Sequence, residues 1–177
     1  MMDKNNINLH FKLMSFEYKI RDFFNPPINI LKELNIKSGY CVLDFGCGPG
    51  SYSFASSRLV GSNGKVYALD INLLAIDRVK KIAIKNGFDN IQTILSDCKT
   101  NLSDNSIDVI LLFDVYHDLD SKVKVLEELY RVLKPEGILS VSDHHLKREK
   151  ILSEIKKKDL FRLQKENKKI YSFLKVE

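Results

Sequence analysis

From Tyr40 onward the chain alternates short apolar runs with longer segments whose apolar residues recur every three or four positions. Apolar runs of about four to eight residues suit strands buried on both faces, and the longer segments suit amphipathic helices. "CVLDF" (41–45), "KVYALD" (65–70), "IQTILS" (91–96), "IDVILLFD" (107–114) and "GILSVSD" (137–143) read as five strands. Between them, "NLLAIDRVKKIAIKNG" sets Leu73, Ile76, Val79 and Ala83 on one helical face and closes at Gly87. "SKVKVLEELYRVLKPEG" does the same with Val123, Leu126, Leu129, Tyr130 and Leu133, and Pro135 and Gly137 supply its stop. Strands alternating with helices predict an α/β fold built on a parallel sheet.

The two ends break this rhythm. "LKREKILSEIKKK" (146–158) reads as one more helix, and "LFRLQKE" followed by "KIYSFLKVE" alternates with period two, as an antiparallel hairpin does, with "ENKK" as its turn. "HFKLMSFEYKIRDFFNPPINILKELNI" predicts a helix to Phe24, a break at Pro26-Pro27 and a second helix to Leu34. Its polar face is mixed, not strongly basic, so it reads as a lid over the domain in preference to a membrane-surface helix. With 177 residues, no internal repeat and no linker, the chain reads as a single domain, a helical lid segment at 1–38 and a core at 39–177.

Composition narrows the class. At 44% hydrophobic and 29% charged residues the chain reads as globular, and no apolar run approaches the roughly 20 residues that cross a bilayer. "MMDKNNINLH" lacks the apolar core of a secretion signal, which predicts a cytoplasmic protein. Cys41, Cys47 and Cys98 are an odd number without C-x-x-C spacing and suit neither a disulfide framework nor a zinc site. The net charge of +5 comes from the tail: residues 147–177 carry 11 Lys and Arg against 5 Asp and Glu. Without interleaved aromatics or a recognised nucleic-acid module, this surplus reads as solvated faces and protected edges, and nucleic acid is an unfavoured partner.

The chemistry gathers at "VLDFGCGPGSYS" (42–53). Gly46, Gly48 and Gly50 follow the first strand and open the first helix of the core, where doubly wound sheets bind nucleotide-like ligands. Asp44, just before the turn, opposes a pyrophosphate, and no Lys-Ser or Lys-Thr follows as a P-loop requires. A cationic adenosine derivative fits better. S-adenosylmethionine carries a sulfonium and an ammonium, which carbonyls near Gly46 and Gly48 can approach because no side chain intervenes. Asp70, ending the second strand, suits the ribose hydroxyls, and Asp97, after the third, can accept from the adenine amine. Each acid alone reads equally as a turn or cap residue; three strand-end acids around one glycine turn read as a site.

In these residues the chain resembles the class I S-adenosylmethionine-dependent methyltransferases, most closely the branch of ubiquinone and menaquinone biosynthesis enzymes. "VLDFGCGPGSYS", "GKVYALDI", "ILSDC", "DVILLFDVYHDL" and "RVLKPEGILSVSD" stand in family order over about residues 40–143. The resemblance implies a Rossmann-like seven-stranded sheet in the order 3-2-1-4-5-7-6, strand 7 antiparallel, with helices on both faces. It also implies cofactor contacts from Asp44, Gly46, Cys47, Gly48, Asp70, Ile71, Asp97, Cys98, Phe113 and Asp114, with S-adenosylhomocysteine as product. The chain departs from that branch in being short after the late strands, so the acceptor is not carried over.

Methyl transfer needs an aligned nucleophile and, for many acceptors, a base. Asp114, Tyr116, His117 and Asp118 fall at the end of the fourth strand, and Asp143, His144 and His145 at the end of the fifth. His117 is the expected base and His144 the second candidate. A chelate of Asp114, Asp143 and His144 is the metal-dependent alternative. "NPPI" (25–28) resembles the motif of methyltransferases acting on nucleobase amines, but it precedes the first strand and reads as a helix break. The sequence therefore predicts a small-molecule methyltransferase. An RNA or protein methyltransferase using the basic tail, and a donor-binding module without catalysis, are its alternatives.

Overall fold

The computed structural model describes residues 4–168 and 170–176. Seven strands form one sheet: β1 (Cys41–Phe45), β2 (Lys65–Asp70), β3 (Ile91–Leu95), β4 (Ile107–Phe113), β5 (Leu133–Ser142), β6 (Phe161–Asn167) and β7 (Ile170–Lys175). Their order is β3-β2-β1-β4-β5-β7-β6, with β7 antiparallel to both neighbours and the other pairs parallel. The helices are α1 (Lys4–Phe24), α2 (Pro27–Glu33), α3 (Ser51–Val60), α4 (Leu73–Asn86), α5 (Lys122–Val132) and α6 (Arg148–Ile155).

Alternation along β4 shows how the sheet splits the core. Ile107, Ile110 and Leu112 join the cluster under α5 and α6, with Leu126, Leu129 and Ile151. Val109, Leu111 and Phe113 join the opposite cluster with Leu31 of α2 and Val60 of α3. Both faces of a parallel strand must therefore be apolar, and each of these buried aliphatic side chains contributes about 1.5–3 kcal/mol.

The expected elements form, with shifted boundaries. The two N-terminal helices break at Pro26, as the prolines dictate, and the second ends at Glu33, one residue early. Leu133, read as the last residue of a helical face, instead begins β5: it pairs with Ile107, and the Lys134–Gly137 stretch bulges before pairing resumes at Val109 and Ile138. The helix predicted at 146–158 is shorter, Arg148–Ile155, and the chain then turns through Lys158 and Asp159, both at positive φ. In the hairpin turn "ENKK", Lys168 has φ +51° and Lys169 lies outside the described residues.

Candidate active site

The chain winds outward from β1 to β3 and then returns to β4, so strand order reverses between β1 and β4. Crevices at such reversals, outside the carboxyl ends of the strands, bind ligands in open α/β sheets. Here the crevice is a cavity of about 290 Å³.

Its floor is the glycine turn. Gly46 has φ +78°, and a Cβ there would stand 2.5 Å from Val115 Cγ2. Gly48 faces open space with φ +49° and lines the cavity. The turn is tied to β2, since Gly46 and Cys47 N–H both donate to the Leu69 carbonyl and Gly48 N–H donates to Asp70 Oδ2 at 2.8 Å. Asp70 Oδ1 accepts from Asn72 N–H, and Asn72 in turn caps α4 by accepting from Leu74 N–H.

Asp44 is buried beneath the turn, where Ser53 Oγ of α3 donates to its Oδ2 at 2.5 Å. Burial pushes its pKa up to about 7, against the pull of the Ser53 hydroxyl and the Arg21 charge. Asp70 is also pushed up by burial, opposed by its backbone donors. Asp44 thus holds the strand-to-helix corner and supplies a charge that a nearby cation would fix.

The cavity wall contains Asp70, Ile71, Asp97 and Cys98 from the ends of β2 and β3, and Asp114 from the end of β4. Ile71 is 71% exposed, an apolar face left open on the rim. Cys98 N–H donates to Ser96 Oγ. Two residues named from the resemblance sit differently. The Cys47 side chain is buried with Ala68, Ile76 and Val79, and Phe113 packs edge-on against Tyr52 at 4.9 Å, within the α2–α3 core.

The β4 and β5 ends are cross-linked by two carboxylate–histidine pairs. His117 Nδ1 lies 2.9 Å from Asp143 Oδ2, whose side chain is fully buried, and His117 N–H donates to the same oxygen. His144 Nδ1 lies 2.7 Å from Asp114 Oδ1, which also accepts from His144 N–H. Asp114 adopts φ +53°, an uncommon conformation for a residue with a side chain. The ring of His145 stands between those of His117 and His144, 4.1 and 3.9 Å from their centroids. His117 Nε2 faces Asp118 Oδ2 at 3.3 Å, and Asp118 lines the cavity. Tyr116 is buried in the α5–α6 core, away from this cluster. Among the described residues no group of three His, Cys, Asp or Glu side chains is placed to share a metal ion, and Asp114 and Asp143 each take a histidine instead.

α1 contributes to the cavity wall through residues that the sequence reading, which expects this segment to be a lid, does not name. Phe11, Met14 and Tyr18 follow helical spacing and face inward. Behind them Arg21 stacks between Tyr18 and Tyr52, 4.1 and 5.1 Å from their centroids, with Nη1 3.8 Å from Asp114 Oδ2. Asp22 accepts from Ser51 Oγ, joining α1 to α3. The signal for these residues was the 11, 14, 18, 21/22 spacing on one face of a polar-apolar helix.

The charges decide which ligand fits. Among the described residues lining the cavity are Asp70, Asp97, Asp114, Asp118 and Asp120, and no lysine or arginine. Such a cavity repels a pyrophosphate and favours a cation, while Gly48 leaves the backbone bare beside it. S-adenosylmethionine fits this donor set.

Comparisons with known proteins agree. The methyltransferase-domain family matches residues 36–176. The demethylmenaquinone methyltransferase of Geobacillus stearothermophilus is 29% identical over 75% of this chain and 57% of its own. The ubiquinone/menaquinone biosynthesis C-methyltransferase of a Marinomonas species is 32% identical over 75% of this chain and 54% of its own. The chain thus spans about half the length of these curated relatives. The crystal structure of a SAM-dependent methyltransferase from Aquifex aeolicus superposes with a TM-score of 0.76 and 28% identity, covering 89% of this chain and 97% of that one. Fold, acidic cavity and family match converge: the chain belongs to the class I methyltransferases that use S-adenosylmethionine.

Proposed function

We propose that this enzyme methylates a small aromatic acceptor of the hydroquinone type, with His117 as the base. The donor, when bound, supplies a methyl group already activated on a sulfonium. In this reading Asp70 takes the ribose hydroxyls, Ile71 lies against the adenine, Asp97 accepts from its amine, and Cys98 contributes its backbone. The carbonyls of the Gly46–Gly48 turn and the ionised form of Asp44 favour the cationic end.

The observation that carries the catalytic role is the His117–Asp143 pair. A buried carboxylate on Nδ1 orients the ring and leaves Nε2 for the proton, as in other carboxylate-backed histidine bases. Asp118 links that nitrogen to the cavity. An aromatic carbon becomes a competent nucleophile when its neighbouring phenol loses a proton. The phenol proton passes to His117, and the acceptor carbon takes the methyl group as the C–S bond breaks and the sulfur keeps the electron pair. The hydrogen on that carbon then leaves as a proton to solvent as the ring regains aromaticity, the phenolate recovering its proton from His117. His144 serves differently, holding Asp114 in place on the cavity wall.

Two further features support this acceptor class. The two curated relatives are named for menaquinone and ubiquinone methylation, and α1 exposes Leu13, Phe16, Ile20, Phe23 and Phe24, an apolar surface that matches an acceptor with an apolar tail. The test is transfer of a labelled methyl group from S-adenosylmethionine to a reduced demethylated naphthoquinone. Transfer is expected in the parent and a fall of about 10²-fold or more in His117→Ala, with S-adenosylhomocysteine binding retained. Full turnover in that variant would overturn the role of His117, and no transfer by the parent would overturn the acceptor class.

A further inference from the structure

α1 separates two cavities of opposite character. Phe11, Met14 and Tyr18 line the acidic donor cavity. Ser15, Tyr18 and Lys19 line a second cavity, about 380 Å³, closed by α3 and α4. Three helices each place one cation there: Lys19 from α1, Arg58 from α3 and Arg78 from α4. Among the described residues none of the three has an ion-pair partner. The acid in the lining, Asp22, is already engaged: Oδ1 accepts from Arg21 and Oδ2 from Ser51.

Two polar atoms at this cavity are buried without a partner among the described residues, Ser15 Oγ and Arg78 Nε. Both atoms are shut off from the open cavity itself, so the groups that can reach a ligand there are the charged ends of Lys19, Arg58 and Arg78. Guanidinium and ammonium donors brought to one cavity from separate helices select an oxyanion. The remaining wall is apolar. Phe54 and Phe88 stack at 5.4 Å with an interplanar angle of 29°, and Arg58 lies over Phe88 at 5.5 Å. A volume of this size admits a small organic molecule.

We infer that this cavity binds an organic oxyanion on an aromatic body, an aryl phosphate or aryl carboxylate, at a site separate from the methyl donor. The charged ends of Arg78, Arg58 and Lys19 hold the oxyanion, and Phe54 and Phe88 take the ring.

The experiment is calorimetric titration of the full chain with phenyl phosphate, benzoate and inorganic phosphate, alone and with saturating S-adenosylhomocysteine. Saturable one-to-one binding of phenyl phosphate or benzoate is expected, at least about tenfold tighter than inorganic phosphate, unchanged by S-adenosylhomocysteine. Whichever of the two aryl acids binds more tightly identifies the head group. Arg78→Gln is expected to weaken binding about tenfold or more while leaving S-adenosylhomocysteine affinity intact. Should Arg78→Gln fail to fold, Arg58→Gln at the exposed rim gives the same comparison. Absence of saturable aryl-acid binding up to about 10 mM, displacement by S-adenosylhomocysteine, or undiminished binding in a folded Arg78→Gln or Arg58→Gln variant would overturn the inference.

Discussion

Asp44 illustrates how a single buried carboxyl couples fold to ligand. Its pKa stands at about 7, against an ordinary 3.8, chiefly because burial disfavours the charge. The folded state therefore binds this proton more tightly than the unfolded chain. The stabilisation is fully present below about pH 4 and is lost as pH rises through about 7. Thermal melts of the ligand-free parent should fall across that window, and Asp44→Asn should flatten the slope, leaving the smaller same-sign contribution of Asp70. An unchanged slope in Asp44→Asn would contradict the assignment. The two glycines separate in the same way. Gly46→Ala drives a Cβ into Val115 and should cost about 1–3 kcal/mol, read from chemical denaturation. Gly48→Ala has room, so it should cost about 1–2 kcal/mol of backbone strain while weakening S-adenosylhomocysteine binding, because its new methyl enters the cavity. At this scale the sequence revealed Asp44, Asp70, Asp97 and the glycines, since strand ends and turns are written locally. It could not reveal the crossing of His117 with Asp143 and His144 with Asp114, which depends on the register of β4 against β5 and on the positive φ of Asp114.

Among the elements, β5 and α1 show where local pattern runs out. The apolar spacing of α5 continues through Leu133, but pairing with Ile107 captures that residue for the sheet, a tertiary contact that overrides helical periodicity. α1 was legible as an amphipathic helix, yet its amphipathicity serves two cavities and an exposed apolar surface, which one period of 3.6 cannot distinguish. Among the described residues its polar attachments are the Arg21 stack and Asp114 contact, and the Asp22–Ser51 bond. Arg21→Ala should cost about 1 kcal/mol of stability and speed S-adenosylhomocysteine release several-fold, about 3–10-fold in stopped-flow measurements. Unchanged release would show that α1 does not retain the ligand.

For the whole molecule, strand order came from the motif succession, and the structure reproduces it down to the antiparallel β7. Four cations of the basic tail form ion pairs. Arg148 pairs with Glu166 and joins α6 to the hairpin, Lys158 pairs with Glu127 of α5, and Lys150 and Lys157 pair locally with Glu154. Among the described residues no helix is long and apolar enough to cross a membrane. The central claim is that the acidic cavity at the β1–β4 reversal holds the methyl donor. Calorimetric titration of ligand-free protein with S-adenosylmethionine tests it most directly, with Asp70→Ala alongside. The account predicts saturable one-to-one binding that weakens at least about tenfold in a folded Asp70→Ala variant; no binding by the parent, or equal binding by both proteins, would contradict it.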